Sequence, residues 1–192
     1  NGVTPITIGT KFLWTAAGVF DYLDLRVNGY DFHNDLTAGK IKYTDPRVQK
    51  VFDRWDELVK PGYFVKNHAS MSWQDALAPM VQGKAAMYVM GNFCVEQFMV
   101  AGLKKEQLGF FQFPEITPGL PKGEDAPTDT FHIPANAKNK ADARKFMAFL
   151  AQPEVQTEWN KILGQLPVNN QAQVADDKFL KAGFDVLNNA KG

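Results

Sequence analysis

Two aromatic residues suit a ligand by type and position: Phe93, behind Gly91-Asn92, and Trp14, behind Lys11-Phe12. A flat ring packs against the C–H face of a sugar, whose hydroxyls need convergent polar partners. Phe93 follows a Gly-Asn turn where an apolar strand ends, and ligands bind at the carboxyl ends of strands in open α/β sheets. Trp14 stands near the end of a second strand. The bland alternative for both rings is burial, which aromatic residues supply first. Thr128-Asp129-Thr130 is the polar counterpart, a carboxylate between two hydroxyls that can hydrogen-bond a polyol or equally form a turn or cap. His132 falls on the side of Thr130 if that segment is extended. Thr10, Lys11 and Asn92, polar residues at loop ends, are further candidates.

Other chemistries find less support. His33, His68 and His132 are far apart and form no HExxH or HxH pattern, and Cys94 is the only cysteine. The sequence therefore predicts no metal site, no cofactor and no internal disulfide. GxSxG, GxxxxGK[ST] and GxGxxG are all missing. Most carboxylates lie opposite apolar helix stripes, where solvation is their default role. A glycosidase pair is defined by three-dimensional spacing, and nothing in the sequence nominates one. Lysine plus arginine and aspartate plus glutamate balance at 21 each in 192 residues, so no global field draws the chain to nucleic acid or an anionic membrane. No apolar run approaches the roughly 20 residues that span a bilayer. Asn1-Gly2-Val3 lacks the basic-then-apolar layout of a signal peptide.

The elements that would carry these residues follow from periodicity and punctuation. Pro5 to Thr10 and Ala85 to Met90 read as strands, the second one buried. Phe12 to Leu25 reads as a helix with Leu13, Ala16, Phe20 and Leu23 inward. A short helix over Asn34 to Ala38 stops at Gly39. Asp45 caps and Pro46 opens a helix whose stripe is Val48, Val51, Phe52, Trp55, Leu58 and Val59. Ser72 caps another, with Trp73, Ala76, Leu77, Met80 and Val81 on one face and an exit at Gly83. Phe93 to Val100 continues as helix, and Leu108 to Phe113 and Thr128 to Pro134 read as strands on either side of a proline-rich boundary, Pro114 to Pro127. Asn139 caps a helix carrying Ala143, Phe146, Met147 and Leu150. Pro153 opens one carrying Val155, Trp159 and Ile162 that stops at Gly164. Asp176 to Asn188 forms the last, with Phe179, Leu180, Phe184 and Leu187 inward.

Four stretches, in order and at plausible spacing, resemble the extracellular solute-binding proteins of ABC sugar importers. YTDPRVQKVFDRWDELVKPGYF is similar to that family's helix ending in Gly-Tyr-Phe, and SWQDALAPMVQGKAAMYVMGNF to its helix, Gly-Lys-Ala-Ala-Met strand and Gly-x-aromatic turn. HIPANAKNKADARKFMAFLAQPEVQTEW resembles the strand and two helices that return to the other lobe, and LGQLPVNNQA the segment that closes them.

The resemblance implies an α/β, helix-rich fold of the type II periplasmic binding protein kind, incomplete in its two lobes. Residues 1–121 would form most of the second, C-terminal lobe and 122–130 the crossover linker. Residues 131–192 would belong with the first, N-terminal lobe, most of which would precede Asn1. It assigns sugar stacking to Phe93, where many relatives have Trp, with Gly91 and Asn92 forming the turn. Trp14, with Phe12 as the competing choice, becomes the second aromatic, and Thr128-Asp129-Thr130 faces the cleft.

The implied role is to capture a neutral mono- or oligosaccharide or polyol between the lobes and deliver it to ABC transporter permease subunits, with no chemistry. Its place would be periplasmic or extracellular and surface-associated, meeting the membrane only through the permease or a lipid anchor outside this chain. The isolated chain is expected to bind sugar weakly. The alternatives are a carbohydrate-active hydrolase and a ligand-loaded receptor module for a sensor protein.

Overall fold

Thr4–Thr7 (β1) and Ala85–Tyr88 (β2) pair in parallel, with Thr4 opposite Ala85, Ile6 opposite Met87 and Thr7 opposite Tyr88. Parallel neighbours need a long crossover, and here nearly the whole first half of the chain lies between them. A parallel bridge from Ile6 to Phe64 extends the sheet on the other side of β1. The structure is a computed structural model that describes residues 2–191. Residues 1 and 192, the outer ends of the two expected lobe segments, lie outside the described residues.

The crossover is built from helices that cover the sheet. Trp14–Val27 (α1), Tyr30–Thr37 (α2) and Pro46–Val59 (α3) enclose one core of Ile8, Val19, Phe20, Leu23, Phe32, Leu36, Val48 and Val51. The α3 start is as its residues dictate: Asp45 accepts a hydrogen bond from the Arg47 N–H at 2.9 Å and Pro46 takes a position that needs no donor. Leu77–Val81 (α4) and Cys94–Val100 (α5) flank β2. Lys140–Leu150 (α6), Pro153–Leu163 (α7) and Lys178–Asn188 (α8) follow the proline-rich stretch. Asp177 caps α8 by accepting from the Phe179 and Leu180 N–H groups. A second core joins Leu77, Cys94, Phe98 and Leu108 to Phe179, so α8 seats on α4 and α5 across more than seventy residues of sequence.

Several expected elements are absent or displaced. The segments at Leu108 to Phe113 and Thr128 to Pro134 are irregular: neither pairs with a strand among the described residues, and strand composition alone does not supply a partner. The first helix starts at Trp14; Leu13 is left-handed, with φ 62°, and 71% exposed instead of inward. The second helix begins four residues before its expected start. Asn139 precedes α6 without a side-chain cap. The strand β2 is buried at Ala85 alone, with Ala86 and Met87 facing solvent. Phe52, Val59, Phe146, Ile162, Phe184 and Leu187 are exposed although their spacing places them on inward stripes. Periodicity finds a face, and what covers the face is a separate matter.

The proline-rich boundary is pinned. Arg26 at the end of α1 forms a buried ion pair with Glu124 at 2.6 Å, the two side chains being 2% and 6% exposed. The same guanidinium donates to the Gly123 and Phe113 carbonyls. Glu124 also accepts from the Tyr22 hydroxyl and the Gln112 amide, and burial and that carboxylate push the Tyr22 pKa up. Thr117 adds a backbone N–H to the Arg26 carbonyl and its hydroxyl to the Val27 carbonyl.

Candidate functional site

Three chain segments converge at the carboxyl edge of the sheet. Just past β1, Gly9 lies so close to the next segment that a Cβ there would stand 2.0 Å from the Ser72 carbonyl oxygen. Only glycine fits that approach. The Thr10 and Lys11 N–H groups then donate to the His68 and Met71 carbonyls at 2.8 and 3.0 Å. The Thr10 hydroxyl shares a 2.8 Å hydrogen bond with His68 Nδ1, so it is occupied within the protein.

The second segment is Met71 to Asp75. The Ser72 N–H and hydroxyl donate to Asp75 Oδ2, and the Asp75 N–H donates back to the Ser72 hydroxyl oxygen. This reciprocal box brackets Trp73 in the turn ahead of α4; Ser72 does not cap that helix as expected, since α4 starts only at Leu77 and its N-cap, Ala76, has no side-chain cap. Hydrogen bonds from Ser72 hold the Asp75 carboxyl below its usual range. The Tyr88 hydroxyl donates to the Trp73 carbonyl at 2.9 Å, which anchors the backbone at Trp73 from the β2 side. Burial raises the Tyr88 pKa.

The third segment is the turn after β2. The Cys94 and Val95 N–H groups bond the Gly91 and Asn92 carbonyls, which starts α5 and sets Phe93 at its head. Phe93 is half-buried, and its ring meets that of Trp73 edge-on, with centroids 5.4 Å apart and planes at 88°. Asn92 leans away from this pair; its Nδ2 lies 3.0 Å from where a Gly183 Cβ would stand on α8. Phe12 and Trp14, 62% and 45% exposed, stand just past the Gly9–Ser72 junction, and the Lys11 ammonium sits 5.3 Å over the Phe12 ring.

The polar candidates of the crossover find their partners elsewhere. Asp129, Thr130 and His132 are exposed, and Thr130 Oγ1 and His132 Nε2 share a 2.7 Å hydrogen bond, so these two do fall on one side. No hydrogen bond among the described residues ties them to the Gly91–Phe93 turn. Neighbouring Phe131 packs on Trp159 of α7, with centroids 5.8 Å apart. Sequence reasoning placed Trp73 on a core stripe and missed its edge-on contact with Phe93; the Ser-x-x-Asp box around it was the available signal. Among the described residues, no group of three or more His, Cys, Asp or Glu side chains is placed to hold a metal ion. The edge offers apolar ring surface, one ammonium and a glycine turn, which suits binding a neutral polar ligand.

A sequence profile of bacterial extracellular solute-binding proteins matches residues 1–157. The chain belongs to that family. It is 32% identical over 176 residues to an uncharacterised ABC transporter extracellular-binding protein of Pyrococcus horikoshii, covering 90% of itself and 37% of that protein. It is 26% identical to a probable sugar-binding periplasmic protein of Brucella suis, over its full length and 44% of that protein. Its fold matches the bacterial solute receptor AcbH, described as having an exclusive preference for β-D-galactopyranose, with a TM-score of 0.81 at 31% identity, over 100% of this chain and 49% of that one. The chain thus spans less than half the length of each of these relatives. The architecture is the helix-rich α/β arrangement of type II periplasmic solute-binding proteins.

Proposed function

We propose that this chain supplies one wall of the interlobe cleft of a periplasmic or extracellular receptor that captures a neutral mono- or oligosaccharide, or a polyol, for an ABC permease. The observation that carries the reading is the aromatic edge, with Phe93 held beside Trp73 and with Phe12 and Trp14 exposed beyond the Gly9 junction. Phe93 is the stacking platform, Gly91 lets the turn form beneath it, and Lys11 and Trp14 border the ligand. Asp129 and Thr130 reach the sugar's hydroxyls when the lobes close, because the crossover that carries them is the segment a hinge would move. Residues 1–121 form most of one lobe, 122–130 the crossover and 131–192 the part that goes with the other lobe, with α8 reaching back onto the second core. The protein performs no chemistry on its ligand; closure around the sugar is what the permease reads.

The test is a titration of the complete gene product with a panel of neutral sugars, D-galactose first. Phe93→Ala is expected to cost about 1–3 kcal/mol of affinity, the range for losing a well-packed aromatic contact. Unchanged affinity removes Phe93 from the site. Release of new reducing ends from an oligosaccharide substrate would replace the receptor reading with a hydrolase.

A further inference from the structure

Phe93 is a small platform with rotatable side-chain bonds, and a ring free to swing presents no defined face to a ligand. Its surroundings remove that freedom. Trp73 meets it edge-on at 88°, an arrangement that favours one ring orientation. The ring also folds back over Gly91, where a Cβ would come within 2.5 Å of Cε1 and 2.8 Å of Cδ1. The Trp73 backbone is anchored on both sides, its carbonyl accepting from Tyr88 and its neighbours Ser72 and Asp75 bonding each other around it. It is half-buried, on the flank of the core that contains Leu77, Cys94 and Phe98.

We infer that Trp73 is a positioning residue, which sets the plane of the Phe93 ring, and thereby which face of a sugar the site accepts, through its edge-on contact with Phe93. This rests on the sugar-binding reading above. Removing Trp73 frees the platform to rotate, so affinity falls although the platform is still present. Phenylalanine at the same position restores an edge-on aromatic partner, whereas leucine restores only bulk.

The experiment is a double-mutant cycle on the complete gene product, titrated with D-galactose, D-glucose and D-xylose, with circular dichroism and the thermal midpoint as controls of folding. Trp73→Leu is expected to weaken the best-bound sugar about 3–10-fold, and Trp73→Phe to stay within about 2-fold of the unaltered protein. In a Phe93→Ala background, Trp73→Leu is expected to change nothing, because its effect runs through the ring that has been removed. Gly91→Ala displaces that ring and is expected to show the same dependence on Phe93, which keeps the test open if Trp73→Leu folds poorly. An equal loss in both backgrounds, or no loss in either, overturns the positioning role. If Phe93→Ala is itself silent, or none of the three sugars binds the unaltered protein, the sugar-stacking reading fails first and takes this inference with it.

Discussion

Asp24 is fully buried in α1, and its carboxylate meets two partners, accepting from the Asn28 amide at 2.7 Å and lying 2.9 Å from His33 Nδ1. The hydrogen bond to Asp24 raises the His33 pKa, with burial opposing it and the nearby charges of Asp21, Asp24 and Asp125 adding to the rise. A folded-state pKa above the unfolded one contributes stability that is complete below the unfolded value of about 6.5 and is lost as pH climbs through the folded value. Asp21, whose carboxyl is raised by burial, loses its contribution the same way but starting from the carboxylate range. The urea midpoint is therefore expected to fall as pH rises past about 6.5, and His33→Gln, which keeps a donor for Asp24 but does not titrate, is expected to flatten that slope. A slope unchanged by His33→Gln would place the titrating group elsewhere. None of this is legible from sequence, where His33 is one of three scattered histidines. Gly9 was equally silent: a glycine at a strand end says nothing of the Ser72 carbonyl it must admit.

At the scale of elements, what the sequence reveals is what local chemistry decides. The start of α3 could be read from Asp45-Pro46, and the end of α7 from Gly164, which adopts φ 63°. What depends on distant partners could not. The segments at Leu108 to Phe113 and Thr128 to Pro134 have strand composition without strand pairing, and the link from α1 to the proline-rich stretch joins residues 98 apart in sequence. That link yields a prediction. Breaking a buried ion pair by removing one partner leaves the other charge uncompensated, so Glu124→Ala is expected to destabilise by about 3–5 kcal/mol in denaturant unfolding. Arg26→Met with Glu124→Leu, which removes both charges, is expected to cost clearly less than either single change. A cheap Glu124→Ala, with the double variant as costly as Arg26→Met alone, would mean that the hydrogen bonds to Gly123 and Phe113 carry the clamp and the ion pair adds little.

For the whole molecule, family membership was legible because four motifs keep their order over most of the chain. The aromatic edge was legible in part: Phe93, Phe12 and Trp14 by their positions at strand ends, Trp73 not at all, because sequence spacing assigns it to a core stripe and only three-dimensional packing turns it toward Phe93. The seat of α8 on α4 and α5 was hidden for the same reason, since an amphipathic helix does not announce its partner. Lys105 pairs with Asp177 at the head of α8, so the joint is held at a second point besides Phe179, and Glu96 of α5 packs against Gly164 at the end of α7.

Cys94 lies inside that joint, next in sequence to the proposed platform, and burial pushes its thiol pKa up to about 12. Thiolate is the reactive form, so the folded protein hides both the atom and its nucleophilicity. The chain's lone sulfhydryl is thus a clock for breathing motions: a maleimide in excess labels it only when α8 lifts, and the labelling half-time reports how often that happens. Phe179→Ala is expected to shorten that half-time by about 100-fold or more, the consequence of a core phenylalanine lost from one side of the seam. A half-time that ignores Phe179 would mean the seam opens elsewhere.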